Sequence, residues 1–203
     1  MVIKAWFKSK TADRVLKPVR DSIIDLIEPK SNVLEIGCGT GQLLFDLREK
    51  INFGVGLDID QQMINFSVNK VEKLNVKNLA FFKARIETIK DCSDPIPPDS
   101  KVDICTATLC IHEMKQDVAL AALNEMTNLS KKVIIADFSR ARSLRAKMAI
   151  EIDEAISGHY SQYRAYKQNG YYPYLASLSN LNIVYSEETS IDGVTVWVMD
   201  SKT

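Results

Sequence analysis

The sequence lacks the patterns that indicate a membrane, a metal ion or a polyanion as its partner. No apolar run approaches the roughly 18 residues of a membrane-spanning helix, and residues 1–10 lack the continuous apolar stretch of a signal peptide. The 26 basic and 26 acidic residues cancel, so no overall field attracts nucleic acid or an anionic membrane. The 4 cysteines form no C-x-x-C pair and have no histidine at zinc spacing. We therefore expect a cytoplasmic protein with free thiols, no bound metal and no membrane contact.

Internal repeats, low-complexity tracts and interdomain linkers are also absent, which favours one domain over residues 1–203. Apolar residues at helical intervals predict a helical cap over residues 1–30, which Pro18 should divide into two short helices or kink. This cap could cover a ligand cleft or simply be a solvated amphipathic segment. A second helical segment, rich in tyrosine, is predicted over residues 140–180, where it could form a substrate wall.

Short β-prone runs alternate with helical patterns along most of the chain. The predicted strands are residues 33–36, 53–58, 79–82, 102–106, 133–137, 183–185 and 194–199. Five strands separated by helices predict a parallel sheet, and the short Asp192-Gly193 connection predicts an antiparallel hairpin at the end. Asp60 is the expected N-cap of the helix after the second strand. The fold class is therefore α/β, a doubly wound, seven-stranded and mostly parallel sheet with a C-terminal antiparallel hairpin.

The turn after the first predicted strand contains three alternating glycines, Gly37, Gly39 and Gly41. An ordinary strand-to-helix turn needs one glycine, whereas this spacing permits positive φ angles and close approach of a ligand to the backbone. Asp58 follows Gly37 by 21 residues, the spacing at which a carboxylate accepts the ribose hydroxyls of an adenine nucleoside. Glu35 lies in the strand beside the turn, where it could hydrogen-bond the loop or an ammonium group. These residues predict a nucleotide cradle at the carboxyl edge of the sheet.

Two common nucleotide motifs do not fit this turn. A dinucleotide fingerprint requires G-x-G-x-x-G, and here Gln42 occupies the place of the third glycine. A phosphate-binding P-loop would require Gly-Lys-Ser/Thr, which is absent. An NAD-dependent oxidoreductase therefore remains only as an alternative that Gln42 argues against.

The motif E-x-G-x-G-x-G at residues 35–41, followed by G-L-D-I-D at residues 56–60, resembles the class I (Rossmann-like) S-adenosylmethionine-dependent methyltransferases. The likeness runs from about residue 30 to the closing hairpin and is weakest over residues 140–180. It implies S-adenosylmethionine as the cofactor and S-adenosylhomocysteine as its product. The glycine turn would hold the methionine portion, Asp58 would accept the ribose hydroxyls, and Ile59 would pack on the adenine.

The resemblance also implies contacts farther along the chain. Arg85 stands where the family usually has an acid that meets the adenine amino group, while the Ile86 backbone N–H and the Glu87 carboxylate would contact the adenine. Thr106 and Ala107 match the family's contact region after the fourth strand. The complete set of implied cofactor-binding residues is Glu35, Gly37, Cys38, Gly39, Gly41, Asp58, Ile59, Ile86, Glu87, Thr106 and Ala107.

A methyltransferase of this class needs no fixed catalytic triad. The sulfonium already activates the methyl group, so the protein must align the acceptor and exclude water, and a base helps only a protonated nucleophile. The candidates for such a base are His112, His159 and Tyr160, each of which could equally be structural. His112 matches the first histidine of a Leu-His-His sequence frequent in the family.

The leading hypothesis is a methyltransferase that acts on a small molecule. Nucleic acid is not expected as a substrate, because no Asn/Asp-Pro-Pro-Tyr sequence follows the fourth strand. One basic cluster could meet an anionic substrate or form a solvated helix face; it comprises Arg140, Arg142, Arg145 and Lys147. The alternative from another class is a non-catalytic module that binds S-adenosylmethionine or S-adenosylhomocysteine. The sequence leaves the oligomeric state open.

Overall fold

A seven-stranded sheet forms the centre of the computed structural model, which describes residues 12–86, 102–130, 132–179 and 181–201. The strands are β1 (Asn32–Ile36), β2 (Phe53–Asp58), β3 (Leu79–Lys83), β4 (Ile104–Thr108), β5 (Lys132–Phe138), β6 (Leu181–Glu188) and β7 (Val194–Ser201). Their order in the sheet is β3-β2-β1-β4-β5-β7-β6. β7 pairs antiparallel with both β5 and β6, and the other neighbours pair parallel. The predicted fold class is confirmed.

The middle strands are apolar along their length because helices cover both faces of a parallel sheet. Leu34 in β1, Cys105 in β4 and Ile134 in β5 are completely inaccessible to solvent. The helices are α1 (Ala12–Val15), α2 (Lys17–Asp25), α3 (Gln42–Leu47), α4 (Gln61–Leu74), α5 (Gln116–Leu129), α6 (Leu144–Ser157), α7 (Tyr160–Gln168) and α8 (Tyr172–Leu178), with a 3-10 turn at Ile111–Glu113. In the part of the chain described here, no helix is long and apolar enough to cross a membrane.

Local signals account for several helix and strand ends. The Asp60 carboxylate accepts a hydrogen bond from the Gln62 N–H at 2.8 Å, which confirms the predicted N-cap of α4. Pro18 lies in the first turn of α2, where its missing N–H costs nothing, and the described part of the predicted cap divides at Leu16 into two short helices. Gly193 adopts φ +90° in the turn before β7, consistent with the predicted hairpin.

The fourth strand starts and ends two residues later than the sequence pattern indicated. β4 is Ile104–Thr108 rather than residues 102–106, because its register pairs Val33 with Ile104 and Ile36 with Ala107. Asp103 precedes the strand, and its carboxylate accepts the Asn32 N–H at 2.7 Å. The apolar run alone did not show where pairing begins. The shift moves Thr106 and Ala107 into the strand interior.

Candidate functional site

The glycine turn after β1 adopts a conformation that only glycine accommodates easily. Gly37, Gly39 and Gly41 have φ angles of +64°, +53° and +69°. A Cβ added to Gly37 would lie 2.7 Å from the Cys110 Sγ, and one added to Gly41 would lie 2.4 Å from the Phe81 ring. Both neighbours are buried, so they cannot move aside easily. A side chain would therefore not fit at Gly37 or at Gly41.

Asp58 joins the end of β2 to this turn. Its Oδ2 accepts the Gly39 N–H at 2.8 Å, and its Oδ1 accepts the Asp60 N–H at the same distance. An ionised carboxylate offers about four acceptor positions, so two remain for other donors. The carboxylate thus orients the loop and can still accept ribose hydroxyls.

A cleft at the carboxyl ends of β1, β2 and β4 consists of two adjoining cavities that share Gly37, Thr108 and Leu109. The smaller cavity, about 70 Å³, is the loop side, and the larger, about 190 Å³, is the β2 side. Of the predicted residues, the loop side is lined by Glu35, Gly37, Cys38 and Gly39, and the β2 side by Gly37, Asp58, Ile59 and Ile86. Arg85 also lines the β2 side. Gly41 completes the turn without lining either cavity, and Glu87 lies outside the described residues.

Two predicted contact residues are not in the cleft. Thr106 and Ala107 are completely buried inside β4, as follows from the later end of that strand. Thr108 and Leu109 take their place and line both cavities. The Oγ1 of Thr108 is buried and has no hydrogen-bond partner in the described part of the chain. Leu109 has φ +50°, a strained conformation for a side-chain-bearing residue that is typical of functional sites.

The N-terminal helices contribute residues to the loop side that the sequence did not reveal. Asp13, Leu16 and Arg20 line it. The Thr40 hydroxyl donates to the Asp13 carboxylate at 2.7 Å, which ties α1 to the glycine turn. Arg20 Nε donates to Asp46 at 2.7 Å, and its Nη1 donates to the Asp13 carbonyl at 2.6 Å. The Arg20–Asp46 and Thr40–Asp13 contacts join residues 26 and 27 positions apart, beyond the range of local sequence patterns.

His112, a candidate base, is a buried and doubly paired side chain. Its Nδ1 contacts the Asp137 carboxylate closely, and its Nε2 lies 3.2 Å from Glu154 Oε1. Burial alone would lower the pKa of His112, but the charge of Asp137 and hydrogen bonds to Asp137 and Glu154 outweigh it and raise the pKa to about 10. Both ring nitrogens therefore carry protons that carboxylates already accept. This geometry argues against His112 as a general base.

Asp137 extends this network into the segment after β4. Its Oδ2 accepts the backbone N–H groups of Ile111 and His112 at 3.0 and 3.1 Å, and Oδ1 accepts the Phe138 N–H at 2.7 Å. Glu154 lies in α6, which belongs to the helical segment 140–180 that we call the helical wall. The His112 imidazolium therefore links β5, the 3-10 turn and the helical wall. No sequence spacing links these residues. Only an acid at the end of β5 and a histidine after β4 were visible beforehand.

The other two candidates lie in different surroundings. His159 lines the β2 side of the cleft, and its Nδ1 is 3.3 Å from Glu113 Oε2. Tyr160 lines neither part of the cleft, because the first turn of α7 directs its hydroxyl to Glu151. Of the three candidates, only His159 lines the cleft.

A third cavity, of about 320 Å³, adjoins the β2 side of the cleft. Met114 lines both this cavity and the β2 side. We call it the tyrosine cavity, because Tyr166, Tyr171 and Tyr174 form much of its wall. The Tyr166 hydroxyl donates to the Phe138 carbonyl at 3.0 Å, which fixes this wall to the end of β5. The predicted helical segment 140–180 thus lines one side of a cavity of molecular size, and the 3-10 turn and α5 line the other.

The cysteines and the basic cluster are not reactive parts of the cleft. Cys38, Cys105 and Cys110 are free, as expected, and Cys92 lies outside the described residues. Burial raises the pKa of both Cys38 and Cys110, so each is a neutral thiol rather than a nucleophile. In the basic cluster, Arg142 is 72% exposed and lies 3.1 Å from the Glu188 carboxylate, which favours a solvated face.

Comparison with known proteins identifies the family of this chain. A family model described as a methyltransferase domain matches residues 27–177. The nocamycin O-methyltransferase of Saccharothrix syringae is 29% identical over 104 residues, which are 49% of this chain and 35% of that protein. The match therefore spans about a third of that relative's length.

Two solved structures have the same fold. One is an S-adenosylmethionine-dependent methyltransferase from Aquifex aeolicus, with 17% identity, a TM-score of 0.61 and 89% of each chain covered. The other is magnesium protoporphyrin IX methyltransferase from Synechocystis PCC 6803 with bound S-adenosylhomocysteine, with 17% identity, a TM-score of 0.61 and coverage of 90% of this chain and 82% of that one.

The sheet topology and the glycine turn with its partner Asp58 define a class I methyltransferase site. Since the family model covers most of the chain, the chain belongs to the S-adenosylmethionine-dependent methyltransferases, and the predicted cofactor is that of its family.

Proposed function

We propose that this chain transfers a methyl group from S-adenosylmethionine to an oxygen atom of a small molecule. The observation that carries the proposal is the tyrosine cavity beside the cleft, because its volume of about 320 Å³ suits a compact organic acceptor rather than a polymer. The balanced charge of the chain also argues against a nucleic-acid substrate. The name of the S. syringae relative supports oxygen as the accepting atom. The free cysteines suit a reducing, cytoplasmic setting.

The residues of the cleft fit the cofactor. The glycine turn admits a ligand where a Cβ would not fit, Asp58 retains acceptor positions for ribose hydroxyls, and the buried Thr108 hydroxyl lacks a protein partner. Arg20 also lines the loop side, where its charge is paired with Asp46. When bound, S-adenosylmethionine supplies a methyl group that its sulfonium activates. The protein orients the acceptor and excludes water.

An oxygen nucleophile that arrives protonated needs a base, and His159 is the proposed one. Its Nδ1 faces Glu113, which leaves Nε2 to accept a proton. His112 serves instead as the buried centre of the network that holds the 3-10 turn and α6 in place.

Calorimetric titration and an acceptor screen test the proposal. We expect S-adenosylhomocysteine to bind with a micromolar Kd and NAD to show no heat of binding. Small phenols and carboxylic acids should then accept methyl groups, and an RNA pool should not. Ala165→Phe, which fills the tyrosine cavity from α7, should abolish turnover and leave S-adenosylhomocysteine binding unchanged, while Ala165→Ser should retain both.

Two results would contradict the proposal. Methyl transfer to RNA with small molecules inert would exclude a small-molecule substrate. Tight binding of S-adenosylhomocysteine without turnover of any acceptor would favour a non-catalytic binding module, the reading that Arg85 at the adenine position keeps open.

A further inference from the structure

Helix α6 carries large apolar side chains on the face that points away from the protein. Only Ile150 and Glu154 of this helix are buried. The exposed apolar residues recur every fourth position, and we call them the α6 stripe: Leu144 (75% exposed), Met148 (63%), Ile152 (55%) and Ile156 (81%). With about 100° per residue, the stripe lies opposite the buried face. A surface helix normally has polar residues there, so this face is typical of an interaction site.

The charges around the stripe distinguish its possible partners. Arg145 and Lys147 lie near the start of α6, and Asp153 and Glu151, the latter paired with Lys167, lie nearer its end, so the polar side of the helix carries charges of both signs. A helix that lies on an anionic membrane is instead rich in Lys and Arg on its polar side. A helix with basic residues at one end and acidic residues at the other is complementary to a reversed copy of itself.

We propose that the α6 stripe is the contact surface of a homodimer, in which α6 of one protomer packs antiparallel on α6 of its partner. The stripe is symmetric about position 150, so reversal sets Leu144 opposite Ile156 and Met148 opposite Ile152. On the helical wheel, Arg145 and Asp153 lie on the same flank of the stripe. An antiparallel partner therefore brings Arg145 of each protomer near Asp153 of the other, at both ends of the contact.

The size of the contact between the two α6 helices determines the affinity that we expect for the dimer. Helix α6 has 14 residues and is about 21 Å long. Two such helices bury less surface than the roughly 1,200–2,000 Å² of a stable protein interface. The dimer should therefore be reversible, with a Kd on the order of 10 µM.

Sedimentation velocity from about 1 to about 200 µM protein tests the proposal. The wild-type chain should shift from monomer to dimer over this range. Ile152→Lys, which places a charge in the centre of the stripe, should remain monomeric at all these concentrations. Leu74→Lys, at a similarly exposed apolar position on α4, should dimerise like the wild type. A wild type that stays monomeric, or an Ile152→Lys variant that still dimerises, overturns the proposal.

A charge exchange tests the antiparallel arrangement. Arg145→Asp should raise the dimer Kd about tenfold, because each end of the contact then brings two acids together. Combining it with Asp153→Arg should return the Kd to within about threefold of the wild type. Failure of the double variant to recover excludes this arrangement. Binding of wild-type monomers to vesicles with about one third phosphatidylserine, without dimerisation, would assign the stripe to a membrane instead.

Discussion

The glycine turn and the helical wall form two sides of the same region by different physical means. The turn depends on backbone conformation, with three positive φ angles within five residues and one carboxylate, Asp58, that orients them. The wall depends on side chains from distant parts of the chain, which meet at one buried histidine. A feature of the first kind is visible in a local sequence pattern, whereas one of the second kind exists only after folding. Variants that affect one side and spare the other test this difference.

The largest effect is expected from His112→Asn in the wall. The substitution leaves the Asp137 and Glu154 carboxylates buried without the imidazolium between them. Breaking such a buried network typically costs about 3–5 kcal/mol of unfolding free energy. Urea denaturation at pH 7 measures this loss. A cost below about 1 kcal/mol would show that the network does not hold the wall.

The same network predicts how stability depends on pH. The pKa of His112 is raised to about 10, above the value of about 6.5 in an unfolded chain, so the folded state retains a proton that the unfolded state releases. The stabilisation is complete below pH 6.5 and is lost as the pH rises through 10. Between about pH 6.5 and 7.5, where unfolded thiols with a pKa of about 8.5 remain mostly protonated, the wild type should lose stability at up to about 1.4 kcal/mol per pH unit. The slope for His112→Asn should be close to zero, and equal slopes would contradict a charged His112.

Gly37→Ala should disable the glycine turn. The new Cβ would lie 2.7 Å from Cys110 and would force a side-chain-bearing residue to φ +64°. We expect S-adenosylhomocysteine affinity to fall about 100-fold, because the turn must shift out of the cleft. Gly158→Ala is the matched control: Gly158 has φ +86° with no atom within 4 Å of the added Cβ. The control should lose about 1 kcal/mol of stability and bind normally. Equal binding losses in both would mean that the close contact is unimportant.

Asp58→Asn should weaken binding with a smaller effect on the fold. The amide keeps one acceptor but loses the charge that strengthens the hydrogen bond from Gly39. Calorimetry should show S-adenosylhomocysteine affinity about 10-fold lower. Asp60→Asn, two residues away, should bind like the wild type, since asparagine and aspartate cap helices about equally well. Reversal of the two results would assign the ribose contact to Asp60.

The smallest effect is expected from Ser143→Ala at the start of α6. The serine Oγ accepts the Ala146 N–H at 3.1 Å, and loss of such a cap costs about 1 kcal/mol. Thermal unfolding should detect a small decrease in Tm, while S-adenosylhomocysteine affinity stays unchanged. A change in affinity would show that the wall and the turn are coupled more tightly than their contacts indicate.

The sequence was sufficient where chemistry is local. The positions of the glycine turn, Asp58 and the Asp60 cap follow from spacing within two successive strand-turn-helix units, and the mostly parallel sheet follows from the alternation of strands with helices. The sequence was insufficient for features that depend on contacts between residues distant in the chain. The end of β4 depends on its register with β1, which moved the cleft from Thr106 to Thr108. Similarly, the role of His112 depends on an acid 42 residues later in α6, which no periodicity identifies.

The hydrogen bond between Thr40 and Asp13 has a practical consequence for work on this protein. Asp13, Leu16 and Arg20 line the loop side of the cleft, yet the family match begins at residue 27. A recombinant fragment that begins at residue 27 would keep every glycine of the turn and lose the part of the cleft that α1 and α2 supply. Such a fragment would therefore understate the affinity of the protein for its cofactor, and expression boundaries should be chosen from the contacts of α1 and α2.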